Sequence, residues 1–387
     1  MAHAAVIGAG IGGLTAAVAL QRRGWQVTLF ERAASLEPVG SGLAVAANAL
    51  RALDTIGAGD EIRGLSAIQG TGGLRRSDGR WLVRTSAEAA SARNSGDSVV
   101  LLRRADLVDA LSSRLETGTV RLNTEVTRID PDSGLVTFAG GRTEADLVVG
   151  ADGIHSPVRS TLFPAHPAPS YSGVTAWRLL VPASGVPGQA YESWGRGKVF
   201  GVMPLAGDTA YCYATDTVPA GGGGGDQPAE LRRLFGDWHS PIPELLAAAT
   251  PERVLRNDVH HLTTPLPAMH RGRVALLGDA AHAMTPNLGQ GACQAIEDAV
   301  VLAHVVGDGT GAVSFGGNDV LAGYTAARLE RTSRIVARSA AICRVTRMRN
   351  PLAVRLRDTM TALSWRLAPS RVNGAMDEVL GWTPPSG

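Results

Sequence analysis

The sequence has few of the features that mark several common protein classes. It contains only three cysteines in 387 residues, Cys212, Cys293 and Cys343, and they are widely separated. This spacing offers neither a disulfide framework nor the paired cysteines of a zinc site, so we expect no metal. Sparse, unpaired cysteine is typical of a protein in a reducing compartment, and we expect a cytoplasmic location.

Strong charge and long apolar runs are also lacking. The formal net charge is only +2, which gives no reason to expect a nucleic-acid partner. No stretch approaches the roughly 20 apolar residues that cross a bilayer, so we expect no membrane partner. The apolar run at residues 4–20 has no basic segment before it and carries four glycines, so we do not interpret it as a signal peptide. The length allows two domains.

Glycine, by contrast, is abundant, and its first cluster follows a predicted strand at residues 4–7. Gly8, Gly10 and Gly13 have the spacing G-x-G-x-x-G, and a helix is predicted behind them at residues 14–23. In dinucleotide-binding units the first glycine makes a tight turn, the second lets the backbone approach a pyrophosphate, and the third lets the helix pack on the strand. The pattern predicts a dinucleotide site; glycines that serve packing alone are the alternative.

An acidic residue ends the second predicted strand of this unit. Residues 26–30 form that strand, and Glu31 follows about where a carboxylate binds the hydroxyls of the adenosine ribose. A carboxylate there disfavours a 2′-phosphate, so the site is predicted to take FAD or NAD rather than NADP. Arg32 either lies beside the adenine or is a solvated arginine at the strand end.

Two more acidic turns follow predicted buried strands. Asp152 comes after the strand at residues 145–149, and Asp279 comes after the apolar run at residues 274–277. Because ligands of open α/β sheets bind at the carboxyl ends of the strands, we expect these turns to lie beside the first glycine loop. A carboxylate cannot hold a phosphate, but Asp279 can bind the hydroxyls of a polyol chain.

Helices are predicted after these turns and in the C-terminal part of the chain. Gly289 and Gly291 precede an apolar helix at residues 292–306, whose first N–H groups can face an electron-rich ring. A helix is also predicted at residues 45–53, after a glycine-rich turn at residues 40–43. A long helix is predicted at residues 318–349, and its basic stripe is expected to be a solvated face. The stripe consists of Arg328, Arg331, Arg334 and Arg338.

The middle of the chain predicts a different architecture, with several short strands and little helix. Strands are expected at residues 176–181, 199–204 and 209–214. Tyr211 and Tyr213 share one strand face, and Gly201 and Met203 share one on the neighbouring strand, so these four are candidate substrate-pocket residues. Simple packing is the alternative interpretation for each of them.

These motifs together resemble the single-component FAD-dependent aromatic hydroxylases, the flavoprotein monooxygenases of the para-hydroxybenzoate hydroxylase type. The resemblance covers nearly the whole chain. It rests on four segments: GAGIGG with Glu31, RADL at 104–107, GADG at 150–153, and GDAAHAMTPNLGQGACQAIEDA at 278–299.

The resemblance implies an α/β fold. A Rossmann-like FAD-binding domain of the glutathione reductase type carries an inserted antiparallel-sheet substrate domain and C-terminal helices. The implied FAD-binding domain, with the C-terminal helices, is discontinuous and comprises residues 1–70, 98–172 and 268–387. The implied substrate domain comprises residues 71–97 and 173–267.

The resemblance also implies roles for individual residues. Arg104 would lie along the FAD, the backbone of Val126 would meet the adenine, and Asp279 would bind the ribityl–pyrophosphate region. Asp152 would support both FAD binding and use of the reductant. The cofactor-binding residues expected in all are Gly8, Gly10, Gly13, Glu31, Arg32, Arg104, Val126, Asp152, Asp279, Pro286, Leu288, Gly289, Gln290, Gly291 and Ala292.

The implied activity is monooxygenation. NADH or NADPH would reduce the flavin, and O2 would then give a C4a-hydroperoxyflavin that transfers one oxygen to a small aromatic or heteroaromatic substrate. No residue stands out as a catalytic base, and either a monomer or a homodimer is expected. The alternatives are an FAD-dependent dehydrogenase, oxidase or halogenase of the same fold, a non-catalytic FAD or NAD sensor, and a plain NAD-dependent dehydrogenase. The elements at residues 150–153 and 278–291 disfavour the last of these.

Overall fold

The structure, a computed structural model, describes residues 1–36, 41–65, 71–86, 97, 99–183, 186, 188–222, 225–309 and 320–386. Two large sheets and the helices that cover them account for most of these residues. The strands are β1 (His3–Ile7), β2 (Gln26–Phe30), β3 (Gly42–Val45), β4 (Thr71–Arg76), β5 (Trp81–Ser86), β6 (Val100–Arg103), β7 (Val120–Arg121), β8 (Val126–Ile129), β9 (Leu135–Phe138), β10 (Gly141–Glu144), β11 (Leu147–Gly150), β12 (Ser170–Pro182), β13 (Tyr191–Trp194), β14 (Lys198–Leu205), β15 (Thr209–Asp216), β16 (Val254–His261), β17 (His270–Arg271) and β18 (Val274–Leu276).

The helices fall into short connections and a few long core or C-terminal elements. They are α1 (Ile11–Gln21), α2 (Ala47–Thr55), α3 (Gly59–Gly64), α4 (Arg104–Ser112), α5 (Pro157–Leu162), α6 (Gln227–Phe235), α7 (Ile242–Ala247), α8 (Asp279–His282), α9 (Gly291–Val306), α10 (Val320–Thr346), α11 (Pro351–Leu367) and α12 (Pro369–Leu380). Within the residues that the structure describes, none of these helices is both long and apolar enough to cross a lipid bilayer.

The first large sheet is mostly parallel, with the strand order β17-β18-β11-β1-β2-β7. Strands β18, β11, β1, β2 and β7 run in parallel, and only β17 is antiparallel. Helices α1 and α9 pack together against this sheet, which explains why β1, β11 and β18 are almost continuously apolar and buried. The sheet confirms the predicted Rossmann-like α/β class.

The second large sheet has the order β16-β12-β15-β14-β13-β4-β5 and is antiparallel except between β13 and β4. One face packs on α6 and α7, and its buried Trp177 and Phe200 rings form one apolar cluster with Phe235 of α6. Side chains alternate along β15, so Tyr211 and Tyr213 lie on the opposite, half-buried face. The predicted antiparallel sheet is therefore present.

The domain division proposed from the sequence stays a proposal. Strands β4 and β5 pair with the second sheet, in keeping with the assignment of residues 71–97 to the substrate domain. Two of the predicted boundaries, 70/71 and 97/98, involve residues 70 and 98, which lie outside the described part of the chain.

One local prediction was wrong. Residues 42–45 form strand β3, whereas the sequence predicted a turn there and a helix beginning at residue 45. Strand β3 pairs antiparallel with β6, and the helix begins only at Ala47. The apolar spacing of this stretch suits a helix, but pairing with a strand more than 50 residues away provides the backbone hydrogen bonds instead. Residue 40 of the predicted turn lies outside the described residues.

Candidate active site

The three glycine and acidic turns meet at one edge of the parallel sheet. They follow β1, β11 and β18, which are neighbours in the strand order. The turns are also in contact: a Cβ on Gly8, whose φ is +100°, would stand 2.5 Å from the carbonyl oxygen of Ala151. The Leu277 N–H donates to the Gly150 carbonyl at 3.0 Å. The carboxyl ends of these strands therefore form one continuous crevice.

Gly10 and Gly13 differ in what surrounds them. A Cβ on Gly13 would stand 1.9 Å from the Gly8 carbonyl oxygen, so this glycine allows α1 to pack on the turn after β1. A Cβ on Gly10 would meet no described atom within 4 Å, and Gly10 is the N-cap of α1. Open space at the N-terminus of a helix suits the close approach of a pyrophosphate.

Glu31 lies at the end of β2 with its carboxylate turned toward the glycine turn. It accepts hydrogen bonds from the Ala9 N–H and the Ala33 N–H, both at 2.8 Å. The Thr124 N–H donates to the Glu31 carbonyl at 2.8 Å, which brings the start of β8, with Val126, beside the same strand end. Arg32 is exposed next to it.

Asp152 has a structural role that the sequence did not reveal. One of its carboxylate oxygens accepts from Ser156 Oγ at 2.5 Å, and the other accepts from the Val158 N–H at 3.0 Å. These bonds tie Asp152 to the N-terminus of α5. Burial raises the pKa of Asp152, and the two hydrogen bonds oppose that shift.

The charges of Asp279 and Arg104 interact with each other in the crevice. Asp279 is accessible to solvent yet densely surrounded by protein; this desolvation raises its pKa, and His282 and Arg104 counteract it. Desolvation also lowers the pKa of Arg104, and the nearby Arg178 adds to the effect. The guanidinium of Arg104 makes no hydrogen bond to any residue in the described ranges. It is thus a half-buried cation free to bind a ligand.

The predicted flavin loop leads directly into α9. Pro286 to Leu288 form one 3₁₀ turn, and Gly289 adopts a left-handed conformation with φ of +61°. Gln290 is the N-cap of α9, and its side-chain oxygen accepts from Asn48 Nδ2 at 3.0 Å. The Oδ1 atom of Asn287 is buried without a partner among the described residues. The loop therefore presents one acceptor without a partner among the described residues, the Asn287 Oδ1 atom, close to the start of α9.

Behind this loop lies a buried cluster of charged side chains on α9 and α10. Glu297, Asp298 and Arg328 are all 0% exposed. Arg328 forms ion pairs with both carboxylates, at 2.6 Å between its Nε and Asp298 Oδ1. Arg331 also pairs with Glu297, at 2.8 Å. We call Glu297, Asp298, Arg328 and Arg331 the buried ion cluster.

The buried ion cluster holds the acidic turn in place. The Gly278 N–H donates to Asp298 Oδ2 at 2.9 Å, and His282 Nε2 lies 2.5 Å from the same oxygen. Burial alone would raise the pKa of Asp298, but His282 and Arg328 together lower it to about 2. Asp298 is thus ionised and orients the segment that carries Asp279.

The prediction that the basic stripe on α10 is a solvated face was wrong for Arg328 and Arg331, which belong to the buried ion cluster. Arg328 is fully buried and Arg331 is largely buried, whereas the Arg334 side chain is 62% exposed. The reason is that α10 packs on α9, which carries the buried carboxylates of Glu297 and Asp298 in a mostly apolar helix. Glu297 and Asp298 lie within an apolar helical pattern, and this was the sequence signal for buried arginines on α10, because buried carboxylates require cationic partners.

The half-buried face of the second sheet approaches the same crevice. The strand register places Gly201 opposite Tyr213 and Met203 opposite Tyr211, so the shared face predicted for these four residues is present. A Cβ on Gly201 would stand 2.1 Å from the Tyr213 ring, and one on Gly42 would stand 2.4 Å from Tyr211 Cγ. Strand β3, which pairs with β6, therefore lies directly against the tyrosine face.

The tyrosine face is polar at one end. Tyr213 donates to Glu192 Oε1 at 2.5 Å, and Trp194 Nε1 donates to the other oxygen of Glu192 at 2.9 Å. Burial raises the pKa of Tyr211 to about 12, and burial together with Glu192 raises that of Tyr213 well above its ordinary value. Both phenols therefore stay neutral at physiological pH. They can donate a hydrogen bond but cannot serve as bases.

The crevice fits FAD on several independent grounds. It provides open space at Gly10, an unpaired cation at Arg104 and a solvent-accessible carboxylate at Asp279. Sequence reasoning singled out these three positions, but it gave no role in the site to Asn48 or Gly42, and it placed Arg328 on a solvated face. Asn48 is a polar residue among the apolar residues of α2, and the structure buries it completely; this polar position in an apolar pattern was the available signal, because a buried polar group needs partners.

Comparison with known proteins agrees with this geometry. The sequence matches the profile of the FAD binding domain family over residues 1–339. It is 37% identical to an aurachin C monooxygenase/isomerase of Stigmatella aurantiaca over 98% of both chains. It is 33% identical to an FAD-dependent urate hydroxylase of Klebsiella pneumoniae, over 89% of this chain and 90% of that one.

A solved structure extends the likeness to three dimensions. The crystal structure of Klebsiella pneumoniae HpxO complexed with FAD and uric acid superposes with a TM-score of 0.88 at 29% identity, and covers 100% of this chain and 98% of that one. The resemblance drawn from the four sequence segments is confirmed. The chain belongs to the FAD binding domain family and is an FAD-dependent monooxygenase of the aromatic hydroxylase type.

Proposed function

We propose that this enzyme uses NADH or NADPH and O2 to hydroxylate a small aromatic or heteroaromatic compound. The observation that supports the proposal is the position of the half-buried face bearing Tyr211 and Tyr213, which β3 holds against the domain that binds FAD. A flat ring between this face and the flavin would be in reach of both. The relatives named as a urate hydroxylase and an aurachin C monooxygenase agree with this substrate class.

We propose the following positions for FAD. The turn at Gly8, Gly10 and Gly13 would take the pyrophosphate, and Glu31 the adenosine ribose, with Arg32 and Val126 near the adenine. Arg104 and Asp279 would bind along the ribityl chain, and Asp152 would orient the adjoining turn. The flavin ring would lie on the remaining expected residues, Pro286, Leu288, Gly289, Gln290, Gly291 and Ala292.

Bound FAD supplies electron transfer from the reductant and activation of O2. The chain's own residues bind, orient and exclude water. The N-terminus of α9 directs unpaired N–H groups toward negative charge that develops on a bound ring. Tyr211 and Tyr213 can pack on the substrate, and Tyr211 can donate a hydrogen bond to it, whereas the Tyr213 O–H is donated to Glu192. Because both phenols are neutral, a substrate phenol would lose its proton to another acceptor.

Asp279→Ala should purify largely without flavin. The variant loses a carboxylate that would accept hydrogen bonds from FAD hydroxyls, and a hydrogen bond to a charged group contributes about 1.5–3 kcal/mol, or roughly 10- to 100-fold in the Kd for FAD. The measurement is flavin absorbance per protein, followed by titration with added FAD. Asp60→Ala, at an exposed position on α3, is the control. Full flavin content in Asp279→Ala would refute the assignment.

Gly201→Ala should raise the KM for the aromatic substrate about tenfold or more without loss of FAD. The added methyl group would overlap the Tyr213 ring, so the ring must move toward the crevice and narrow the space for the substrate. Steady-state kinetics and flavin content are the measurements. Gly188→Ala is the control, because no described atom lies within 4 Å of its Cβ position and its φ is outside the left-handed region. An unchanged KM in Gly201→Ala would place the substrate elsewhere.

The decisive test of the proposed reaction is anaerobic reduction. The purified yellow protein is mixed with NADH or NADPH, with and without urate, salicylate, 4-hydroxybenzoate and hydroxyquinolines. Flavin bleaching that one aromatic compound accelerates supports the hydroxylase and indicates its substrate class. Yellow protein indifferent to both nucleotides would refute the proposal in favour of an FAD-dependent oxidase or dehydrogenase.

A further inference from the structure

Helix α11 carries an apolar stripe on the side that faces away from the protein. Its members are 44–78% exposed and are spaced by four, four, three and four residues, which places them on one helix face about 22 Å long. Within the described residues, five of the eight exposed large apolar side chains belong to this face. We call it the α11 stripe: Leu352, Leu356, Met360, Leu363 and Leu367.

The inner side of α11 is fixed by polar contacts, so the stripe cannot turn toward the core. Arg357 and Asp358 are buried and paired at 2.8 Å. Arg357 also donates to the Gly195 carbonyl at 3.2 Å, and Arg76 lies 3.6 Å from Asp358. Val354 is buried on the same side. The helix therefore packs through a mixed polar face and leaves its most apolar face outward, the reverse of an ordinary surface helix.

The charges beside the α11 stripe have one sign. Arg355 and Arg366 are exposed on α11, and the side chain of Arg349 just before the helix is 58% exposed. Asp358 is the one carboxylate in the sequence of α11, and it is buried and paired with Arg357 and Arg76. The outward side of the helix thus combines leucines with arginines and has no exposed acidic residue.

We propose that α11 binds an anionic lipid surface. Helices that lie in the headgroup region have this composition, with an apolar face for the acyl boundary and basic residues beside it for the lipid phosphates. Each arginine close to an anionic membrane strengthens binding about fivefold. This departs from the expectation of no membrane partner, which rested on the lack of an apolar run long enough to span a bilayer. The lack of a spanning run says nothing about a helix that lies in the plane of the membrane surface.

A second copy of the chain fits the α11 stripe less well. Pairing two α11 helices in either direction would bring arginines of both copies together, with no exposed carboxylate on either helix to compensate. The stripe also offers five side chains, whereas a stable interface uses about 20–30 residues on each partner. An anionic surface satisfies both the leucines and the arginines.

The test is flotation of the flavin-loaded full chain with lipid vesicles. The protein should float with vesicles of phosphatidylcholine containing one-third phosphatidylglycerol and bind vesicles of pure phosphatidylcholine at least tenfold more weakly. Arg355→Glu with Arg366→Glu should reduce binding to anionic vesicles on the order of 25-fold or more. Leu356→Gln with Leu363→Gln should abolish binding. All variants should keep their flavin and turnover.

Matched controls carry the same changes on other surfaces. Arg142→Glu with Arg232→Glu reverses two exposed arginines, and Leu122→Gln replaces an apolar residue that is 36% exposed. These variants should float like the parent. Failure of the parent to float with anionic vesicles would overturn the proposal, as would equal losses in the control variants. A dimer of the parent that Leu356→Gln with Leu363→Gln dissociates, together with no flotation, would assign the stripe to a second copy instead.

Discussion

Arg328→Leu should lower the free energy of unfolding by about 3–5 kcal/mol, a large part of the stability of an ordinary domain. Among the described residues, the change leaves His282 as the one side chain paired with Asp298 and Arg331 as the one cationic partner of Glu297, and both carboxylates are 0% exposed. Leucine fills most of the volume but neutralises neither carboxylate. Denaturant unfolding of the FAD-saturated protein is the measurement, and we expect lower flavin retention because Asp298 no longer orients the turn at Gly278.

Arg334→Leu is the matched control, since it makes the same change on the same helix. Arg334 pairs with Glu378 at 3.5 Å, but its side chain is 62% exposed, so its loss should change stability by about 1 kcal/mol or less. Similar losses in the two variants would contradict the structural role of the buried ion cluster.

The free energy of unfolding of the parent and of Arg328→Leu should depend on pH in a defined direction. The pKa of Asp298 is lowered to about 2, so its contribution to parent stability should be fully present above about pH 4 and lost as the pH falls toward 2. In Arg328→Leu the unpaired carboxylates favour protonation in the folded state. The deficit of the variant relative to the parent should therefore shrink as the pH is lowered from 8 to 5. A deficit that grows over this range would show that the loss is not electrostatic.

Gly13→Ala and Gly10→Ala should both bind FAD more weakly, but for different reasons. Unfolding measurements without FAD distinguish the two, because only Gly13→Ala should be clearly destabilised. A Cβ added at Gly13 would overlap the Gly8 carbonyl at 1.9 Å, so the turn or α1 must shift, and we expect about 1–3 kcal/mol of destabilisation even without FAD. A Cβ added at Gly10 would meet no described atom within 4 Å, and the backbone there, with φ of −68° and ψ of 176°, suits alanine. The stability of Gly10→Ala without FAD should stay within about 1 kcal/mol of the parent.

The measurements are denaturant unfolding of both proteins stripped of FAD and titration of each with added FAD. We expect a Kd for FAD at least tenfold higher in Gly10→Ala, because a methyl group would stand where the pyrophosphate approaches. Gly118→Ala would be a poor control because its φ is +86°; Gly64→Ala, on α3 with open space around its Cβ position, suits better. Normal FAD affinity in Gly10→Ala would place the pyrophosphate away from this turn.

The parallel-sheet unit was predictable because its signals are local. The run from β1 through Gly8, Gly10 and Gly13 to Glu31 is contiguous, and each residue type there has one dominant physical reason. Strand β3 was not predictable in the same way, since its partner β6 lies more than 50 residues later. Four residues with apolar spacing fit a helix or a strand equally well until the partner is known.

The positions of charged side chains were harder to predict than the turns. The spacing of the arginines on α10 does not indicate which of them faces a neighbouring helix. That depends on Glu297 and Asp298, which lie some 30 residues earlier on α9. Asp152 was identified as important, but its bonds to Ser156 and Val158 depend on how the chain turns after β11. Sequence patterns located the crevice well; they did not resolve which polar groups bind a ligand and which support the scaffold.

The alternation along β15 has a practical consequence for engineering. Cys212 and Ala214 point into the core with α6 and α7, whereas Tyr211 and Tyr213 point to the crevice. Combinatorial variation confined to Met203, Tyr211 and Tyr213 should therefore yield libraries in which most members still fold and retain FAD. New ring specificities can then be selected on this scaffold without redesign of its core.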